Sequence, residues 1–355
     1  ARPFFSVPAL PVLSLPVALR IKQLSVTSVQ TQSAADARTV LDRMITSVAI
    51  DGDQLVLDRL EVTLPDAYVA GDWRMRLATS TLGDARLDWR LPNATGTPQG
   101  ALTVVGPRDA LRITHVLEQP VRAETEGVIA LPVNASVDAQ LVTHVDTVTF
   151  PLQGMDSTLE NVIVRVEGAP DAWQLAASGV AGAPEQPDVP VELEAGGSLQ
   201  SASVSSLRVG TAATGIAVAS GNVRWSPRLA GEARVQVDDF ALTTLTGVDA
   251  TLSGILSARS EDVQAGVFSV ELDALRGKVL GHAIAGDGSL QRRSAQDYRG
   301  ALSVSAGSDT LRIVATPDQE TASLRAEFVV NALSDYQQRA QGAISGTLTV
   351  SGDAT

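Results

Sequence analysis

Apolar and polar residues alternate along most of this chain. In 232–238, Ala233, Val235 and Val237 interleave with Glu232, Arg234, Gln236 and Asp238. That is the period of a strand with one side in a core and the other in water. The same alternation puts Phe268, Val270 and Leu272 on one side of 267–273. It sets Val162, Val164 and Val166 against Arg165 and Glu167, and Leu324, Ala326 and Phe328 against Arg325 and Glu327. An antiparallel sheet with one wet face has this pattern. Parity slips after Val237, where Phe240 and Leu242 follow Asp238-Asp239, and a bulge or turn there restores the facing. Turn residues at Asp51-Gly52, Asn93 to Gly96, Gly106-Pro107, Gly196-Gly197, Gly286-Asp287-Gly288 and Gly307 punctuate the runs, which predicts a long succession of hairpins.

Helical pattern is scarce. Val40, Leu41, Met44, Ile45 and Val48, behind Ser33 as an N-cap, fit a 3.6-residue stripe, and 333–339 is a second short candidate. Pro3, Pro8, Pro11 and Pro16 keep the leading segment out of any central strand, so it is extended or an edge. The stretch 181–190 has no apolar period and is the expected connecting loop between a first block of β repeats, 1–180, and a second, 191–355. The alternative is one continuous sheet. An internal echo links the blocks: 100–113 and 300–313 share Gly-Ala-Leu, a valine, an aspartate and a closing Leu-Arg-Ile. Leu-Arg followed by Ile or Val recurs at Leu19, Leu111, Leu207 and Leu311. A unit of this length exceeds a solenoid rung and reads as a duplicated block of several strands.

Composition narrows the function. Of 355 residues 44% are apolar, too many for intrinsic disorder, and only 4% are aromatic, so the apolar face is built from Val, Leu, Ile and Ala. Lys+Arg 27 against Asp+Glu 40 gives a net charge of −13, the wrong sign for a nucleic-acid partner. There are no cysteines, which excludes disulfides and thiolate metal sites. No apolar stretch is long enough to span a bilayer as a helix. The chain contains no nucleophile-elbow, dinucleotide-binding, Walker or zinc-protease motif. His115 and His144 fall in apparent strands and His282 near a turn. Asp51 with Asp53, and Asp238 with Asp239, lack the further oxygens of a calcium loop. Asn93 and Asn134 stand in glycosylation sequons. Trp73, Trp89, Trp173 and Trp225 are too dispersed for a sugar-stacking platform and read as strand-end packing. The expectation is therefore a non-enzyme with neither cofactor nor metal.

A sheet with one apolar face must bury it against something. With too few helices to cover the strands, the expected fold is all-β: a long curved antiparallel sheet, open as a groove, with few short helical turns. Its expected lining is Leu102, Val104, Val162, Val164, Val166, Val235, Val237, Phe268, Val270, Leu272, Leu302, Val304, Leu324, Phe328, Leu348 and Val350. A lipid tail in such a trough gains about 0.8 kcal/mol per buried CH₂ while its headgroup stays in water at the open lip.

The segments 8–26 (PALPVLSLPVALRIKQLSV), 57–78 (LDRLEVTLPDAYVAGDWRMRLA), 270–290 (VELDALRGKVLGHAIAGDGSL) and 300–353 resemble the periplasmic repeats of the TamB family, within the AsmA-like bridge-like lipid transfer proteins. The phrases by themselves suggest a middle periplasmic portion. The resemblance implies a taco-like sheet in the periplasm, anchored in the inner membrane through a segment outside this chain. It further implies phospholipid conduction between inner and outer membranes, and cooperation with the outer-membrane barrel TamA in outer-membrane biogenesis, also through regions outside this chain. It implies strand at 40–48, against the helical stripe. Two other readings stand beside it: a structural or adhesive β-solenoid stalk of a surface protein, and a polysaccharide-active β-helix enzyme. The stalk predicts shorter, more regular rungs, and the enzyme predicts clustered outward charges.

Overall fold

The computed structural model describes residues 15–32, 37–76, 81–132, 136–152, 155–182, 187–243, 248–294, 297–316, 322–331 and 342–352. Every element formed by those residues is a strand. Val, Ile and Thr are stiff at χ1 and fit a pleated surface, and the alternation leaves each strand one side to bury.

In the first compact unit, Ala1–Val148 with Asn161–Trp173, nine strands follow one another. They are β1 (Leu15–Gln32), β2 (Ala37–Gly52), β3 (Gln54–Thr63), β4 (Tyr68–Arg76), β5 (Thr81–Arg90), β6 (Gln99–Val105), β7 (Leu111–Gln119), β8 (Ala123–Ala130) and β9 (Asp138–Leu152). Each is antiparallel to the one before it. β10 (Met155–Ala169) and β11 (Ala172–Gly182) come next. The second unit, Thr149–Glu160 with Gln174–Thr355, holds β12 (Val189–Gly197), β13 (Ser201–Thr211), β14 (Gly215–Arg224), β15 (Ala230–Ala241), β16 (Ala250–Asp262), β17 (Val267–Val279), β18 (His282–Arg292), β19 (Tyr298–Ala306), β20 (Asp309–Thr316), β21 (Ala322–Val330) and β22 (Ile344–Gly352). These too form an unbroken antiparallel meander. All 22 strands belong to one sheet. Among the described residues no strand pairing closes it into a barrel.

Bulges interrupt the ladders at matching places. Between β15 and β16 the register shifts from Val237 to Phe240, with Asp239 at φ 46°. Asp239 N–H donates to Ser253 Oγ at 2.9 Å, and that hydroxyl donates back to the Asp239 carboxylate at 2.9 Å. The slip read at Asp238-Asp239 is therefore a hydrogen-bonded bulge. Neighbouring shifts fall at Ser253/Ile255 on β16 and Leu272/Leu275 on β17, where Ala274 has φ 50°. In the first unit a shift between Leu57 and Leu60 on β3 accompanies Arg59 at φ 54°. Each bulge bends its strand and sharpens the twist, so each unit's sheet is curved.

Three sequence expectations are corrected. Residues 40–48 are strand, as the family resemblance implies and against the helical stripe, inside β2, which is hydrogen-bonded to β1 on one edge and β3 on the other. Two ladders override a helical stripe that arose because Met44 and Ile45 serve opposite faces. Gly286-Asp287-Gly288 is no turn but the interior of β18, with Gly288 opposite Leu272 and Leu302. Trp73 lies within β4, paired with Leu57 and Ala85. By contrast Trp89 and Trp173 stand one residue from strand ends, and Trp225 directly follows β14. The helical candidate 333–339, the leading prolines before Leu15 and Asn134 lie outside the described residues. The echoed sequences 100–113 and 300–313 both form hairpins, but Val104 pairs with Ile113 while Val304 pairs with Leu311, a register two residues apart.

Candidate functional site: the apolar face

Directly paired residues of an antiparallel sheet share a face, so the register assembles the site. In the second unit one row crosses all eleven strands: Leu193, Leu207, Ala219, Val235, Leu256, Leu272, Gly288, Leu302, Ile313, Ala326 and Leu348. A parallel row runs Ala195, Val204, Gly221, Ala233, Ala258, Val270, Leu290, Gly300, Ala315, with Leu324 and Val350 next in register. Neither row contains a charged residue. Val237, Phe268, Val304 and Phe328 flank them on the same face. Val235, Val237, Phe268, Val270, Leu272, Leu302, Val304, Phe328 and Leu348 thus share one face. Sequence reading missed Leu193, Leu207, Leu256 and Ile313, which only the cross-strand register adds to the row.

Among the described residues no element covers this face. Its buried apolar residues lie at or next to strand ends: Val189, Phe240, Ala250 and Ala315. Midway along the strands Leu256 remains 44% exposed, and Val235, Val270, Leu272 and Leu302 are half-buried. Polar groups gather only at its margins, as where the Arg292 guanidinium sits 5.2 Å from the Tyr298 ring centroid. The opposite face carries Arg234, Glu271, Glu232 and Arg259 in its own rows, and ion pairs such as Arg259–Glu261 at 3.1 Å. That face holds a depression of about 740 Å³. Ser220, Asn222, Glu232 and Arg234 line it together with Val204, Gly221 and Ala233. The apolar face is therefore a broad open surface and not a closed pocket.

In the first unit the row Ile21, Val48, Leu57, Trp73, Ala85, Val104, Ile113, Gly127, Leu141 crosses nine strands. Leu102 stands on the same face in the next row, between Leu87 and His115. On β10, Val162, Val164 and Val166 share one side and are half-buried, with Arg165 and Glu167 exposed on the other.

His115 interrupts the apolar character. Trp89 Nε1–H donates to its Nε2 at 3.0 Å, the two rings lying within 16° of parallel. Since indole only donates, the imidazole is neutral with its proton on Nδ1. Burial lowers its pKa below the usual histidine value. Below the unfolded value of about 6.5 the unfolded chain takes up this proton first. Stability from this group is therefore complete above that pH and lost as pH falls below it. Melting between pH 8 and pH 5 should show a drop that His115→Gln removes.

Comparison with known proteins comes out one-sided. Residues 2–355 match the sequence model described as the TamB N-terminal domain. This chain belongs to the TamB family. That model describes the family's N-terminal domain, whereas the resembling phrases alone suggest a middle portion. No curated protein and no solved structure matches. TamB proteins form a non-enzymatic family of transport and assembly modules of the cell envelope and work with TamA. Among the described residues no helix is long and apolar enough to cross a membrane, and no cluster of three or more His, Asp or Glu is placed to hold a metal.

Proposed function

We propose that this chain is a periplasmic phospholipid conduit, its apolar face carrying acyl chains between inner and outer membranes in support of outer-membrane biogenesis. TamA would be engaged through regions outside these residues, as would the inner membrane. The observation that supports this reading is the charge-free apolar row across eleven strands, left open along its middle. At about 4.8 Å per strand that row extends roughly 48 Å. Half a bilayer's hydrocarbon core is only about 15 Å, so the surface outreaches any one acyl chain. A uniform Val, Leu and Ala lining offers no fixed stopping point, and the wet rim lets a headgroup keep its hydration.

Photo-crosslinking in cells tests the reading, with the reactive side chain placed in turn at Arg234, Val235, Gln236 and Val237. Lipid is expected at Val235 and Val237 and absent at Arg234 and Gln236, which face the other way. Lipid at neither parity would sink the conduit and favour the stalk.

A further inference from the structure

In the first unit, one row on the apolar face changes character along its length. It reads Leu60, Gly71, Leu87 and Leu102 over β3 to β6, then His115, Thr125 and Thr143 over β7 to β9. Apolar rows lie on both sides of this polar stretch: Ile113, Gly127 and Leu141 on one, and Leu117, Ala123 and Val145 on the other. The Thr125 and Thr143 hydroxyls are 2.9 Å apart, so one donates to the other and one hydroxyl proton is left to point elsewhere. His115 spends Nε2 on Trp89 and keeps Nδ1–H as a donor. The row is thus a short line of neutral hydrogen-bond donors set into an otherwise apolar surface.

Position gives the line a meaning. Thr125 lies two residues from the start of β8, about 7 Å along the strand. Beyond it, the β7–β8 turn carries Arg122, exposed and ion-paired with Glu124 at 3.0 Å. A bilayer's headgroup layer is similarly deep, roughly 5–7 Å on each side of the hydrocarbon. Tryptophan with an apolar body and a bonded N–H, as Trp89 has here, is the residue of that boundary.

We propose that His115, Thr125 and Thr143 form a station for the ester carbonyls of a diacyl glycerolipid. Its acyl chains lie on the Ile113 side and its headgroup passes over Leu117 and Ala123 into water at the β7–β8 turn. Neutral donors suit neutral carbonyl acceptors. No cation of this row faces the site to favour a phosphate instead: Arg112, Glu124, Glu126 and His144, the charged or titratable residues adjacent to it on β7, β8 and β9, are on the opposite face. The station rests on the conduit reading and adds a preferred resting place and orientation to it.

The test compares dioleoyl phosphatidylethanolamine with its dioleyl ether analogue, which lacks both carbonyls, as competitors for a fluorescent lipid bound to the full chain. The wild type should favour the diester about fivefold, the worth of one net hydrogen bond. Thr125→Val with Thr143→Val should reduce that preference while leaving ether-lipid affinity unchanged. A purely structural threonine pair would instead weaken both lipids alike or neither. The infrared carbonyl band of bound diester lipid gives a reading without any variant, since it should contain a hydrogen-bonded component. Equal binding of the two lipids by the wild type overturns the station alone. Binding of neither overturns the conduit and the station together.

Discussion

Val235→Glu should remove lipid attachment at Val237 by about a hundredfold or more while leaving the sheet folded. Val235 stands fourth in the eleven-strand row, paired with Ala219 and Leu256. A carboxylate there must lose water whenever an acyl chain lies over it, which costs several kcal/mol, and each ~1.4 kcal/mol is a tenfold change in occupancy. Folding alone makes no such demand. Val235 is half-buried and its neighbour Leu256 is 44% exposed, so the charge reaches solvent in the empty protein. The loss of stability should stay within about 1–2 kcal/mol. Gln236→Glu puts the same charge one residue away on the wet face and should change neither quantity. Crosslinking yield and a urea midpoint, measured together on both variants, decide the matter. Severe unfolding by Val235→Glu would mean that the face is closed on protein.

Gly288→Val should be strongly destabilising, at about 4 kcal/mol or more. Gly288 has φ 133°, a conformation open to glycine and strained for any other residue. A Cβ there would overlap the Ala301 carbonyl oxygen and lie 2.7 Å from Leu302 Cα. The residue cannot make room without breaking the β18–β19 ladder on which Leu290, Leu302 and Val304 depend. Gly281 is the control: it has φ 83° but open space within 4 Å, so Gly281→Ala should cost only about 1–2 kcal/mol of backbone strain. Denaturant midpoints of the two variants should differ in that order. Comparable midpoints would show that β18 and β19 are not held so closely.

The sheet class was legible in the residues because a strand's side-chain period is two, and a face that meets water declares itself in charge. Glu232, Arg234 and Gln236 against Ala233 and Val235 were sufficient for that, and the break at Asp238-Asp239 even located a bulge. Local reading failed where a tertiary neighbour decides. Met44 and Ile45 read as one helical stripe until β1 and β3 paired with the two edges of β2, which sends the two side chains to opposite faces. Gly286 and Gly288 read as a turn, because nothing local says that Ala301 and Leu302 approach too closely for a side chain.

Period, charge and the absence of cysteine thus determined, from sequence alone, that this chain is an antiparallel sheet with one apolar face. The tertiary structure decided which apolar residues stand together. Register joins Leu193 to Leu348 across more than 150 residues of chain, and each bulge resets parity by an amount that hydrogen bonds, such as those of Ser253 with Asp239, select. It also decided that Trp89 meets His115, 26 residues away. Alternation is a property of one strand, whereas a row is a property of many, set by ladders that no single strand encodes.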